Sequence, residues 1–151
     1  MKKVKGDLIE LAISGEFDLI IHGCNCFCTM GAGIAKSIKE KFPEAYKADL
    51  QTTKGDHTKL GTITFAESET YNGKLIVING YTQFNWRGTG RKVDYDAIRK
   101  VFGNVKQKFS GMRVGYPAIG AGLAGGNWNI ISRIIDQELE GEDHTFVDYK
   151  K

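Results

Sequence analysis

Two glycine-rich segments, residues 22–35 (HGCNCFCTMGAGIA) and 116–128 (YPAIGAGLAGGNW), constrain the fold more than any other feature of the chain. Each follows a short apolar run and leads into a stretch in which apolar residues recur every three or four positions. A strand that ends in a small-residue turn and passes into a helix is one half of a βαβ unit. Two of them in so short a chain imply parallel strands joined by helical crossovers.

The remaining pattern agrees. Short runs rich in β-branched or aromatic residues, bounded by turn formers, predict strands at residues 2–5, 18–22, 62–65, 75–79, 112–117 and 145–149. Ile34, Ile38 and Phe42 recur before Pro43. Tyr95, Ile98, Val101, Phe102, Val105 and Phe109 keep helical spacing, as do Ile131, Ile134, Ile135 and Leu139. Asp94 is placed to cap the helix that follows it. The expected class is α/β, with three layers and a mixed, largely parallel central sheet of about six strands.

Composition narrows the partners. A length of 151 residues suits one domain over 1–151, and 21 basic against 18 acidic side chains leave a net charge of +3. That excess is too small for extended duplex binding but compatible with a small anion. No apolar run approaches the roughly 20 residues of a membrane span, and no signal-peptide core follows Met1, so the expectation is a cytoplasmic protein without a membrane partner. Cys24, Cys26 and Cys28, an odd set within five residues, favour a reducing compartment over a disulfide framework.

Turns made of small residues let backbone amides approach a phosphate closely, and two of them at strand ends would surround one ligand from both sides. Neither segment is a Walker loop, since no Gly-Lys-Ser/Thr follows, and no acidic residue stands where a dinucleotide fingerprint needs one. A nucleoside triphosphatase is therefore not expected. The polar stretch 83–92 (QFNWRGTGRK) reads as a surface loop beside a strand end.

Taken together, the opening Val4-Lys5-Gly6-Asp7-Leu8, the segment IIHGCNCFCTMGAGIAKSI and the late YPAIGAGLAGGNW resemble the macrodomain family, the ADP-ribose-binding fold. The first loop resembles in particular the branch that contains ADP-ribose 1''-phosphate phosphatases. The resemblance implies a metal-independent phosphatase without cofactor, releasing inorganic phosphate from the distal ribose of ADP-ribose 1''-phosphate; a monomer is the separate expectation. It also implies roles. Asp7 would accept a hydrogen bond from the adenine amino group, although a turn or cap aspartate reads equally well. Asn25 would meet the distal ribose; Gly31, Ala32, Gly33 and Ile34 would wrap that ribose and the diphosphate. Ile119, Gly120, Ala121, Gly122, Leu123 and Ala124 would form the second phosphate loop, and Tyr149 would lie near the adenine or proximal ribose unless it only packs at the sheet edge.

By the same resemblance His22 would be catalytic. A neutral imidazole at a strand end can take a proton from water or attack phosphorus itself, and His22→Ala would then abolish phosphate release while sparing affinity. Arg87, Arg91 or Lys92 would supply a cation to the transferring phosphoryl group, although a solvated basic loop is the simpler expectation for each taken singly, and Asp94 would orient His22 unless it is only a cap.

Other readings stay open. Macrodomains that remove ADP-ribose from proteins or nucleobases use a lysine after the middle strand, where this chain has Gln83, and an aspartate in the late loop, where it has Ala124 and then Asn127. These departures count against glycosidic chemistry. A non-catalytic ADP-ribose reader fits the glycine loops equally well. Nucleic-acid binding through Phe84, Trp86, Arg87 and Arg91 is the weaker option. Zinc on the cysteines and His22 is disfavoured, because Cys-x-Cys-x-Cys does not match the usual ligand spacing. Buried thiols lining the turn are the simpler expectation.

Overall fold

The computed structural model describes residues 1–149. Six strands form one sheet in the order β1-β6-β5-β2-β4-β3: β1 (Lys2–Gly6), β2 (Leu19–Cys24), β3 (Ile63–Thr70), β4 (Gly73–Tyr81), β5 (Val114–Tyr116) and β6 (His144–Tyr149). Every neighbouring pair is parallel except β3 and β4, which make an antiparallel hairpin. The carboxyl ends of the five parallel strands therefore lie along one side of the sheet, and both glycine-rich turns leave from there.

Strand β2 shows why two faces are covered. Its successive side chains point to opposite sides. Leu19 and Ile21 enter a core built against α4 (Tyr95–Phe109) and α5 (Trp128–Glu138), while Ile20 and Cys24 enter a second core against α1 (Leu8–Ile13), α2 (Gly33–Lys41) and α3 (Pro43–Leu50). All four of these side chains are buried, the pattern of a parallel strand sandwiched between helices. Helices α4 and α5 bury the predicted stripes, Ile98, Val101, Phe102 and Val105 on one, Ile131, Ile134 and Ile135 on the other. The three-layer α/β/α expectation is met.

Three features extend the sequence reading. Residues 62–65 and 75–79 are parts of one hairpin, closed at Tyr71-Asn72; Glu67 and Glu69 lie on its edge strand, and those charges hide the continuation of β3 from an apolar pattern. Pro43 does not merely stop α2 but opens α3, since the first helical position needs no N–H. Asp7 caps α1, its Oδ1 accepting from the amides of Ile9 and Glu10 at 2.9 and 3.1 Å.

Candidate ligand-binding cleft

A cleft of about 790 Å³ opens at the carboxyl ends of β2, β4 and β5. One wall is the β2–α2 turn, with Asn25, Thr29, Gly31, Ala32, Gly33 and Ile34; the other is the β5–α5 turn, with Ile119, Gly120, Gly122, Leu123 and Ala124. The floor is formed by Gly23, Cys24 and Thr82, and the 83–92 loop contributes Gln83, Trp86 and Lys92. The two turns meet over the cleft, where a Cβ on Gly33 would touch Leu123 at 4.0 Å.

Both walls present free backbone donors. Ala32, the N-cap of α2, supplies no side-chain hydrogen bond to the first-turn amides, so those donors are left for a ligand at the positive end of the helix. In the second turn the amides of Gly120, Gly122, Leu123 and Ala124 have no intramolecular acceptor among the described residues, whereas Gly125 and Gly126 are spent on turn closure to Gly122 and Gly120. Gly120 has a φ of +75°, and a Cβ there would sit 2.6 Å from Val93 Cγ2, so only glycine fits. Gly31 and Gly122 differ: a Cβ on either meets nothing within 4 Å, and both face the cleft. Their smallness serves the cavity rather than the packing.

Asn25 lines the cleft but is already committed to shaping it. Its Nδ2 donates to Thr29 Oγ1 at 2.8 Å and its Oδ1 accepts from Phe27 N at 2.8 Å, an Asx-type bracing of the first turn. Ala121, placed in the second phosphate loop by the sequence, does not line the cavity, because its amide turns back to Ala118. Asp7 and Tyr149 stand together at the far edge of the sheet, where Gly6 and Tyr149 are register partners, and neither belongs to the cleft lining; Tyr149 is exposed.

His22 is the main departure from the sequence reading. It is register partner to Asn79 across β2 and β4, so both side chains leave the same face, and His22 Nε2 lies 2.6 Å from Asn79 Oδ1. Asn79 Nδ2 donates to Ala45 O and Thr64 Oγ1, which makes Oδ1 the acceptor and assigns the imidazole proton to Nε2. Both residues are fully buried. Burial pushes the His22 pKa down to about 4, partly offset by the Asn79 hydrogen bond. The ring thus points into the core beneath the cleft and reaches no ligand there. Asp94 does not orient it either, being the N-cap of α4 through Ala97 N at 3.0 Å.

The remaining candidates divide. Lys92 lines the cleft, while the Arg87 guanidinium lies 5.0 Å over the Trp86 ring and that of Arg91 4.2 Å over Tyr95. The three sulfurs take separate partners: Cys24 the His22 ring, Cys26 the carbonyl of Gln83, Cys28 the carbonyl of Asp49 and the hydroxyl of Thr52. Sequence reasoning missed Thr29 and Thr82 as cleft residues. Thr82 follows β4 directly, and the rule that ligands bind beyond the carboxyl ends of parallel strands would have pointed to it.

Comparison with known proteins places this geometry. Residues 21–135 match the Macro domain family. A 17.5 kDa protein of Enterobacteria phage T4 from the tk-vs intergenic region is 36% identical over 99% of this chain and 97% of its own length. The ADP-ribose 1''-phosphate phosphatase of Candida albicans is 29% identical over 83% of this chain and 85% of its own. A DNA ADP-ribosyl glycohydrolase of Mycobacterium tuberculosis is 24% identical, but this chain spans only 35% of its length. Among solved structures, a Bacteroides thetaiotaomicron protein of unknown function superposes with a TM-score of 0.82 at 28% identity, covering 97% of this chain and 96% of that one. The macrodomain of Mycobacterium tuberculosis DarG gives 0.75 at 21% identity, covering 99% and 97%, a likeness of fold. The relatives with named activities are thus hydrolases of ADP-ribose derivatives, and this chain belongs to the macro domain family.

Proposed function

We propose that this cleft binds ADP-ribose derivatives and hydrolyses the distal phosphate of ADP-ribose 1''-phosphate, giving ADP-ribose and inorganic phosphate. The observation that carries the reading is the charge of the lining: Lys92, whose Nζ donates to Gly90 O at 3.2 Å, is the one ionisable amine or carboxylate among its described residues, and both turns of the cleft offer free amides. Such a cavity favours an anion at more than one point along the ligand. The phosphatase of Candida albicans, similar over most of its length, supports the same substrate class.

The diphosphate would lie across the free amides of the α2 start and of Gly122, Leu123 and Ala124, with the distal ribose against Asn25 and Thr29. Water attacks phosphorus and releases one proton to solvent, the bond from phosphorus to the ribose oxygen breaks, and that oxygen leaves with a proton from solvent. The chain's contribution is electrostatic: amides and the Lys92 ammonium hold the charge on the phosphoryl oxygens. His22 serves by fixing the end of β2 rather than by touching the substrate.

A second reading, binding without turnover, is favoured by one specific observation: no carboxylate and no imidazole lines the cleft among the described residues. One experiment separates the two. Inorganic phosphate release from ADP-ribose 1''-phosphate is followed in chelator beside calorimetric titration of ADP-ribose. Release that drops in Lys92→Gln supports hydrolysis. Binding without release supports the reader, and absence of both refutes the cleft assignment.

A further inference from the structure

The cysteine cluster is not absorbed by that function, and Cys28 differs from its neighbours. Cys24 and Cys26 are buried, whereas Cys28 is partly exposed in the turn that supplies Asn25 and Thr29 to the cleft. It is not alone. Lys59, only 7% exposed, directs its Nζ at Cys28 Sγ from 3.6 Å while donating to the carbonyl of Cys26 at 3.0 Å. Around the pair, the Cys28 thiol donates to Asp49 O at 3.3 Å and its Sγ lies 3.4 Å from Thr52 Oγ1, and the ammonium stands 4.9 Å from the Tyr81 ring. Asp49 itself is 1% exposed and one of its carboxylate oxygens, Oδ2, has no partner among the described residues.

A partly exposed thiol held against a buried lysine lets peroxide reach a sulfur that already has a nitrogen in contact. A sulfenic acid formed there has an amine in reach of the same sulfur, and sulfenic acids condense with nitrogen. We infer that Cys28 and Lys59 are a peroxide-sensitive pair which closes into a covalent sulfur–nitrogen link beneath the first ligand-binding turn.

The steps balance. The Cys28 thiolate, its proton gone to solvent, attacks one oxygen of hydrogen peroxide; the O–O bond breaks, hydroxide leaves, and sulfur is oxidised by two electrons to the sulfenic acid. That hydroxide takes a proton from the Lys59 ammonium and becomes water. The freed amine lone pair attacks sulfur, the S–O bond breaks, and a second water leaves with the other amine proton. Peroxide is the only oxidant required, and a dithiol reductant reverses the link by thiol attack on sulfur.

The link has a consequence for the cleft. Closing the 3.6 Å gap to a single bond draws Nζ off the Cys26 carbonyl, which now holds it at 3.0 Å and which also accepts from Gly55 N at 2.7 Å. Cys28 is the only non-glycine residue with a positive φ among those described, +57°, and Thr29, next in sequence, braces Asn25. Displacement of this turn moves the Asn25–Thr29 wall, so the linked form binds ADP-ribose several-fold more weakly. That last step rests on the function proposed above; the link itself does not.

The test is peroxide treatment of the ligand-free protein, followed by thiol alkylation, digestion and peptide mass spectrometry. The expected result is a Cys28-containing peptide joined to a Lys59-containing peptide with two hydrogens lost, absent after dithiothreitol and absent in Cys28→Ser and Lys59→Met. Oxidation spread equally over Cys24, Cys26 and Cys28, a disulfide between two of them, or a Cys28 sulfenic acid that dimedone traps but that never joins Lys59, overturns it. Calorimetry with ADP-ribose on treated and untreated protein then reads the cleft. Affinity lost on linking and restored by reductant, with Cys28→Ser insensitive, is expected; linked protein with unchanged affinity overturns the coupling. Failure of the untreated protein to bind refutes the ADP-ribose reading and leaves the mass result standing.

Discussion

His22 Nε2 lies 2.6 Å from Asn79 Oδ1, in a pair wholly removed from solvent beneath the floor of the cleft. The contact follows from strand register. His22 faces Asn79 across β2 and β4, and Asn79 in turn ties the sheet to α3 through Ala45 O at 2.9 Å. Removing the imidazole leaves Asn79 Oδ1 without its donor and opens a cavity. His22→Ala should cost about 2–5 kcal/mol of stability. Denaturant unfolding measures it; a variant as stable as wild type but devoid of phosphate release would restore His22 to the chemistry.

The same pair sets a pH dependence. Burial pushes the His22 pKa down to about 4 from an ordinary 6.5, so the folded chain holds the ring neutral while the unfolded chain protonates it first. The contribution to stability is complete above pH 6.5 and is lost as pH falls towards 4, by about 3 kcal/mol in all. His144, whose pKa burial also lowers, acts in the same direction. Melting temperature followed from pH 7 to pH 4 should decline through this window, and His22→Gln, with no titrating ring, should decline less steeply.

Gly31 and Gly122 separate binding from folding. Because a Cβ at either position meets no protein atom within 4 Å, Gly31→Val and Gly122→Val should melt near wild type yet lose ADP-ribose affinity by about tenfold or more, as side chains fill the space a diphosphate needs. Gly120→Ala should do the reverse in order of cause: strain at a φ of +75° and a 2.6 Å clash with Val93 destabilise the fold by about 1–3 kcal/mol. Calorimetric titration beside thermal melts distinguishes the two classes. Unchanged affinity in both valine variants would place the ligand elsewhere.

Lys92 carries the charge argument. Lys92→Gln should weaken binding of the phosphorylated ligand by about five- to tenfold and affect unphosphorylated ADP-ribose less, with the difference shrinking as salt rises. Equal losses for both ligands would show that Lys92 holds the diphosphate rather than the distal phosphate.

Trp86 should report occupancy. Its indole is 41% exposed at the cleft rim and is set by an aromatic stack in which Phe27 meets both Trp86 and Phe84, and His57 lies parallel to Phe84 at 3.5 Å. ADP-ribose should change tryptophan fluorescence in wild type and not in Trp86→Phe, since Trp128 packs against Phe146 away from the cleft. A signal that persists in the variant would mean that the ligand leaves the 83–92 loop untouched.

The α/β class, the parallel strands, the amphipathic stripes of α4 and α5 and both glycine-rich turns follow from local pattern, because side-chain periodicity and turn chemistry are properties of a few consecutive residues. Cleft residues adjacent to those turns were legible for the same reason. The fate of His22 was not. Whether a strand-end side chain faces ligand or core depends on which face it leaves from and on what stands beside it in the next strand, and Asn79 is 57 residues away. The pairing of Cys28 with Lys59, 31 residues apart, and the entry of Lys92 rather than Arg87 into the cleft have the same origin. Sequence by itself determined the α/β class, the strongly patterned elements and where backbone can approach an anion; tertiary structure decided which side chains are buried, charged and within reach, because those depend on neighbours that only the folded sheet brings together.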